Sequence, residues 1–356
     1  MKLEDYICTH KDWEEELSSA PYNLTIRHLG AYTLFMYNHY DSDMNEPIVQ
    51  EARGCIFRGD TCVCRAMDKF FNYGEPQAAQ IDWSSAKVLE KIDGSLMKVW
   101  HDKGQWHLSS NGMIDAFEDV FGKLFEKALR EYGYDDFLSF AFTLDPNFCY
   151  WFELATQDNV IVVPHKGYHI YSLGMRDVVA DVEVPFEEVQ SYFPEFEHPK
   201  MYQMNKIEDV IAAANELSYD NEGYVVVDKY FHRIKIKSPE YIRMFYAKDD
   251  TRFTTRTILK IILAGEEAEI INYFPERKEQ IENIKKQMEG MKESAQAAVK
   301  KYYSVPTPAL RNAAVHEPKY VLGYIYKERL GVSWEEYTSH WEINKWKKEL
   351  EGFVCE

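Results

Sequence analysis

The hydrophobic pattern of this chain changes period once, near Tyr241, and that change constrains the fold more than any other feature. Before it, short runs dense in β-branched and aromatic residues follow one another, as in TIRHLGAYTLFMYNHY, with few helices between them. EARGCIFRGDTCVCRAM reads as two strands around an Arg58-Gly59-Asp60 turn. AKVLEKIDGSLMKVWHDKGQWHLSSNG reads as a strand, a tight loop and a hairpin turning at Asp102–Gly104. The first clear helix is a stripe of Ala116, Phe117, Val120, Phe121, Leu124, Phe125, Ala128 and Leu129, stopping before Gly133. YWFELATQDNVIVV, YHIYSLGMRD and EGYVVVDKYFHRIKIKS return to strands. After Tyr241 the spacing is helical. Ile281, Ile284, Met288, Met291, Ala295, Ala298 and Tyr302 alternate steps of three and four, a seam about three heptads long. So short a seam favours a packed helix in a small all-α domain over a coiled-coil dimer. SWEEYTSHWEINKWKKELEGF is expected to close the chain as one further helix. The predicted class is α+β on antiparallel sheets, followed by an all-α region.

Composition narrows the setting. No apolar stretch is long enough to span a bilayer, and MKLEDYICTHKDWEEEL lacks the order of a signal peptide. No membrane partner is expected. The six cysteines have no disulfide-ladder spacing, and Cys62-x-Cys64 has neither a second pair nor a nearby His to make a zinc site. CVCRAM fits a strand with one buried thiol face, and a reducing cytoplasm fits best. The formal net charge of −18 argues against broad nucleic-acid affinity. A phosphate-binding protein with this balance must concentrate its cations in one site.

The segment Lys91-Ile92-Asp93-Gly94-Ser95 carries the chemistry. A lysine in a K-x-D-G loop between strands can act as a nitrogen nucleophile. A lysine amine is ordinarily protonated, with a pKa of about 10.4, and must lose that proton before it attacks a phosphate. Neighbouring cations or desolvation would favour the neutral amine. Gly94 would let the backbone approach a ligand. K-x-D-G alone is a weak signal, and its bland reading is a surface turn. Four more segments follow in order: Glu153 in WFELATQDNVIV, the run Tyr168–Asp177, Glu222-Gly223-Tyr224, and Arg233 to Ser238. On a strand Lys235 and Lys237 share one face, and Ile234 and Ile236 the other. Two adjacent lysines repel unless an anion lies on them. Otherwise they form a solvated outer face. His165 and His169 are read as satisfied histidines, and Asp249-Asp250 as a solvated domain junction.

Taken together, these segments resemble the covalent nucleotidyltransferases. KIDGS looks like their motif I, FELATQDNVIV like motif III, YHIYSLGMRD like IIIa, EGYVV like IV and RIKIKS like V. The finer resemblance, over residues 30–245, is to the phage RNA ligase 1 family of tRNA-repair ligases. It rests on EARGCIF, MDKFFNYGE, KIDGSL, SSNGMI and Lys237-Ser238 followed by Tyr241. The resemblance implies a nucleotidyltransferase (ATP-grasp-like ligase) domain over residues 1–243. A helical C-terminal domain over 244–356 would bear on RNA or tRNA choice. It implies that Lys91 takes AMP from ATP, with Lys235 and Lys237 on phosphate as the other catalytic groups. Arg53, Lys69, Glu153, Glu222 and Tyr241 complete the nucleotide site, and Glu153 and Glu222 hold Mg2+ or Mn2+. Two positions depart from the family pattern. Asn111 stands where a lysine is frequent, and Val160 where an arginine is frequent.

The function implied is an ATP-dependent RNA ligase joining a 5′-phosphate to a 3′-hydroxyl through lysyl-AMP and RNA-adenylate. Its setting would be RNA or tRNA repair, with cleaved tRNA as candidate substrate and an end-healing kinase-phosphatase as candidate partner. The compartment would be the cytoplasm, a host's if the gene is a phage's. Three rivals share or mimic the motifs: an RNA-capping guanylyltransferase, a DNA ligase, and a non-catalytic RNA-end-binding module. The first two ordinarily carry a β-barrel after the shared domain, whereas this chain turns helical.

Overall fold

The computed structural model describes the chain except residues 40, 248–253, 340 and 354–356, so Asp249-Asp250 and Cys355 lie outside the described residues. The chain forms two compact units, Met1–Phe245 and Tyr246–Glu356.

The first unit contains fourteen described strands. In chain order they are β1 (Thr25–Leu29), β2 (Tyr32–Met36), β3 (Arg53–Arg58), β4 (Thr61–Cys64), β5 (Phe71–Asn72), β6 (Lys87–Lys91) and β7 (Ser95–Asp102). There follow β8 (Gln105–Ser110), β9 (Phe148–Thr156), β10 (Tyr168–Asp177), β11 (Val182–Glu183), β12 (Met201–Tyr202), β13 (Gly223–Val227) and β14 (Arg233–Lys237). They make three sheets. One is the meander β1-β2-β3-β4, the second has the order β11-β10-β9-β7-β8, and the third has the order β12-β6-β13-β14-β5. The pairing is antiparallel, as expected, except that β5 runs parallel to β14.

Each sheet buries a face. The meander packs Phe35, Cys55 and Phe57 against the short N-terminal helices, which contribute Leu3, Ile7 and Leu17. Its other face sets Leu34, Ile56 and Val63 against Trp100 and Cys149 of the second sheet. A bulge between Ile56 and Phe57 shifts the β3–β4 register. Cys62 and Cys64 therefore join different clusters, not the single thiol face that strict alternation predicts. The far side of the second sheet holds Phe125, Phe140, Phe152 and Phe193 in one core cluster. The third sheet buries Val88, Tyr224, Val226, Ile234 and Ile236 beneath the Ile207–Asn215 helix.

Two helix predictions are corrected. The stripe from Ala116 is split into a 3-10 turn, Ala116–Glu118, and an α-helix, Val120–Glu131. Asp119, in extended conformation, breaks the run because its side chain accepts from the Val120 N–H at 2.6 Å and starts a new helix. The C-terminal run is likewise two helices, Trp334–Ser339 and Ile343–Glu351. Trp341 lies between them, its ring 4.9 Å from Trp346 and 6.0 Å from Trp334, and this aromatic contact outweighs helix continuity.

The second unit is helical wherever it has regular structure among the described residues. Its longest helix, Lys278–Lys301, buries Ile281, Ile284, Met288, Met291, Ala295 and Ala298, so the heptad seam faces this unit's own core. Met291→Ala should therefore lower unfolding stability by roughly 2–5 kcal/mol. The urea midpoint of both proteins should be independent of protein concentration. A midpoint rising with concentration in the parent chain would return the seam to a dimer interface.

Candidate active site

One face of the third sheet presents three rows of side chains. Register aligns Lys91 with Gly223 and Lys237, Leu89 with Val225 and Lys235, and Lys87 with Val227 and Arg233. The intervening residues are the buried face under the Ile207–Asn215 helix. Alternation along three adjacent strands thus brings four lysines and an arginine to one side. A cavity of about 400 Å3 opens on that side, lined by Lys87, Leu89, Lys91, Val225, Val227 and Arg233 from the sheet. Arg53, Trp151, Glu153 and Leu173 complete it from the other two sheets.

Of the predicted residues, Arg53, Lys91 and Glu153 line this cavity. Glu222, Lys237 and Tyr241 gather at its Lys91 end. Lys91 Nζ is 2.7 Å from Glu222 Oε2, and Lys237 Nζ is 3.9 Å from Glu222 Oε1. The group touching Lys91 is thus a carboxylate, where cations or bare desolvation were expected. Glu222 itself is 6% exposed, and Lys237's side chain is 13% exposed, which rules out the solvated outer face. Gly223 follows Glu222 with φ of +143°, and a Cβ there would overlap the Ile236 carbonyl oxygen. Only glycine keeps β13 and β14 close enough to hold this pair. Lys69 stands apart, its ammonium over the rings of Tyr37 and Phe71, beside a smaller cavity of about 180 Å3 shared with Arg233. Arg53 lies over Phe70.

Charge on these groups is set by burial and by one another. Burial raises the Glu153 carboxyl to about 8, Lys91 and Arg53 opposing the rise and Glu222 and Asp93 adding to it. His39 is a residue that motif reading passed over. It is an exposed residue, yet desolvation by the protein around it, and then the charges of Lys69, Lys235, Arg53 and Lys237, push it down to about 4. Four cations acting on one imidazole mark a common point of positive potential suited to an anion.

The K-x-D-G loop is held from the segment joining β9 to β10. Asp93 Oδ2 accepts from the N–H groups of Val162 and Val163 at 2.9 and 2.7 Å, and Oδ1 accepts from the Tyr241 hydroxyl at 2.8 Å. His165 Nε2 meets the Asp93 carbonyl oxygen at 2.6 Å, and Asn159 Nδ2 donates to Ser95 Oγ at 2.8 Å. His165 is thus satisfied, as is His169 by Glu197 and the Lys166 carbonyl. A Cβ on Gly94 would lie 2.7 Å from the Leu154 carbonyl oxygen and 2.9 Å from Glu153 Cγ. Gly94 therefore lets the loop pack closely against β9. Asp93 and Asn159 lay inside the quoted motifs, and His165 between two of them. Their shared role needed coordinates, because it joins segments far apart in sequence.

A family model described as RNA ligase matches residues 51–241, more than half of the chain. The chain belongs to the phage-type RNA ligase family. Among curated relatives of this RNA ligase family member, a protein of Autographa californica nuclear polyhedrosis virus carries the provisional name bifunctional polynucleotide kinase/RNA ligase. It is 29% identical over 68% of this chain and 37% of its own length. An RNA ligase of Rhodothermus phage RM378 is 22% identical over 76% of each chain, and RNA ligase 1 of bacteriophage TS2126 is 24% identical over 51% of this chain and 48% of its own. The chain thus spans well under two thirds of the first relative. Among solved structures, an archaeal ATP-dependent RNA ligase is 16% identical over 78% of this chain and 79% of its own, with a TM-score of 0.44.

The folded protein holds Glu153 protonated more often than the unfolded chain does. Glu153 therefore favours folding at low pH, and that contribution is lost as pH rises from the ordinary glutamate range through about 8. Glu153→Gln removes the titration. In urea unfolding without nucleotide or divalent cation, the stability of Glu153→Gln relative to the parent should climb between about pH 5 and pH 8. A flat difference would mean Glu153 titrates normally.

Proposed function

We infer that this protein is an ATP-dependent RNA ligase in which Lys91 becomes covalently linked to AMP. The observation that carries the reading is the Lys91–Glu222–Lys237 contact at the end of a cavity walled by three sheets. Membership of the RNA ligase family supports it. In the first step the Lys91 amine attacks the α-phosphorus of ATP. A P–N bond forms, the bond to the β-phosphate oxygen breaks, and pyrophosphate leaves. The lysine must first lose a proton, and the carboxylate in contact with it is Glu222. Lys237 and Lys235, on the same sheet face, stabilise charge developing on the α-phosphate. Asp93, tied to Tyr241 and to the β9–β10 segment, keeps the loop from drifting during attack. AMP then passes to an RNA 5′-phosphate, and a 3′-hydroxyl displaces it to seal the strand.

A divalent cation, Mg2+ or Mn2+, neutralises phosphate charge in such a reaction. Glu153 and Glu222 are the residues that would hold it. Two carboxylates suit Mg2+, which takes its remaining oxygens from phosphates and water. No cluster of three or more His, Cys, Asp or Glu ligands exists among the described residues, so the protein alone does not offer a full cage. The anion point marked by His39, Lys69, Arg53, Lys235 and Lys237 fits the polyphosphate or the RNA 5′-phosphate.

Cleaved tRNA is the candidate substrate, and residues 244–356 form the candidate selectivity region. The baculovirus relative's name couples a kinase to a ligase, which supports an end-healing enzyme acting before this one. Among the described residues no strand follows Lys237, which favours this reading over a capping enzyme or DNA ligase with a β-barrel there. No described helix is long and apolar enough to cross a membrane.

Lys91→Ala should abolish the covalent adduct formed with labelled ATP on a denaturing gel. It should still seal RNA already bearing a 5′-adenylate, at reduced rate. Lys235→Ala and Lys237→Ala should each slow adduct formation by roughly a hundredfold. A GTP adduct would point to capping, and an undiminished adduct in Lys91→Ala would refute the assignment.

A chain ending at Phe245 should retain AMP transfer but lose preference for a broken anticodon loop over unstructured RNA of equal length. The measurement is the ratio of sealing rates on the two RNAs, full length against shortened. An unchanged ratio in a soluble shortened chain would remove the C-terminal region from substrate choice.

A further inference from the structure

Arg53 reaches the cavity because β3 breaks its own alternation. Cys55 and Phe57 join the cluster under the N-terminal helices, and Ile56 faces the second sheet. Strict alternation would send Arg53 the way of Cys55, into that apolar cluster. The register prevents it. Phe35 pairs with Cys55, but the next residue, Met36, pairs with Arg53, so Gly54 is an extra residue in β3. Directly opposed residues share a face, and Met36 packs with Leu34 and Ile56 toward the second sheet. The bulge thus re-aims Arg53 to the cavity side.

Gly54 has φ of +74°, and a Cβ there would lie 2.6 Å from the Asn111 carbonyl oxygen, 2.7 Å from Asn111 Cα and 3.0 Å from Lys98 Nζ. The Lys98 ammonium donates to the Gly54 carbonyl oxygen. Lys98 is in β7, is 0% exposed, and has no carboxylate partner among the described residues. A buried ammonium without a counter-charge is costly, and an apolar side chain of like volume is often as stable or more so. Stability alone therefore does not account for a lysine here. Asn111, where a lysine is frequent in the family, packs on Gly54 through its backbone. The ammonium at that glycine comes from the neighbouring strand instead.

Arg53 has little else to hold its direction. Its guanidinium meets the Met67 carbonyl oxygen at 3.4 Å and lies 5.4 Å from the centre of the Phe70 ring. No carboxylate pairs with it among the described residues, so its aim follows the backbone from which it springs.

We propose that Lys98 is a positioning residue for nucleotidyl transfer: its buried ammonium pins the Gly54 bulge, and the bulge keeps Arg53 turned into the cavity. The role asks one hydrogen bond of Lys98, and no ligand has to reach it. It rests on the reading of this cavity as the nucleotide site, with Arg53 among the cations that meet phosphate.

The test compares Lys98→Met, Arg53→Ala and the double variant in the full-length chain. Methionine nearly keeps the length of lysine and loses its donor and charge. Lys98→Met should unfold in urea at or above the parent midpoint, yet form the AMP adduct roughly tenfold more slowly. Arg53→Ala should slow it by roughly a hundredfold. The double variant should be no slower than Arg53→Ala alone, since Lys98 acts through Arg53. Lys98→Gln, uncharged but still a donor, is a second variant read against Arg53→Ala in the same way. Binding of inorganic pyrophosphate, followed by calorimetry, should weaken by roughly tenfold in Lys98→Met. That binding needs no transfer step, so a parent chain that forms no adduct would refute the ligase reading and leave this comparison standing. Parent-like rate and pyrophosphate affinity in Lys98→Met would overturn the role. So would slowing in the double variant equal to the product of the single effects, or slowing that follows a fallen urea midpoint.

Discussion

The site depends on one buried carboxylate. Asp93 has three hydrogen-bond donors, two from the backbone after β9 and one from Tyr241 beyond β14. A carboxyl group at 4% exposure is tolerable only when its oxygens are satisfied in this way. The arrangement ties the loop after Lys91 to two other parts of the chain. Lys91 itself sits at a strand end, where β6 pairs with β13 and delivers Glu222 to the ammonium. Loss of any one donor would leave a buried carboxyl oxygen short of a partner, so the loop, the β9–β10 segment and the helix bearing Tyr241 are held together through Asp93.

Around that unit the third sheet separates two tasks by alternation alone. One face is Val88, Tyr224, Val226, Ile234 and Ile236 in a core, and the other is a row of cations and small apolar groups facing a cavity. Because both sets share the same strands, mutations meant to alter charge on one face leave the core intact. The reverse does not hold. A core substitution on β14 would move Lys235 and Lys237 together.

Much of this arrangement was legible in the residues. RIKIK announces its two faces by period, and the strands around KIDGS follow from their β-branched and aromatic content. The seam from Ile281 to Tyr302 identified a helix and its buried side. What escaped was whatever depends on contact between distant segments. Nothing in SLMKVW marks Lys98 as fully buried, since a lysine at a strand position is ordinarily solvated. Gly94 was legible as a close approach, but that β9 lies against it required knowing what lay opposite. His39 carries no motif, and its placement among four cations comes from three separate stretches of chain. Trp341 interrupts a helix whose period continues through it, because ring contacts with Trp334 and Trp346 are invisible to a periodicity count.

The order of strands in the third sheet bears on synthesis. Its central members are β6, β13 and β14, and the last two are made long after the first. Lys91 leaves the ribosome well before Glu222 and Lys237, so a nascent chain carries the lysine without its carboxylate or its companion cation. The pairing that completes the row is non-local and cannot form until nearly the whole first unit has been translated. A ribosome-bound fragment ending before β13 therefore holds Lys91 without Glu222 and Lys237, and the row is complete only when the final two strands close the sheet.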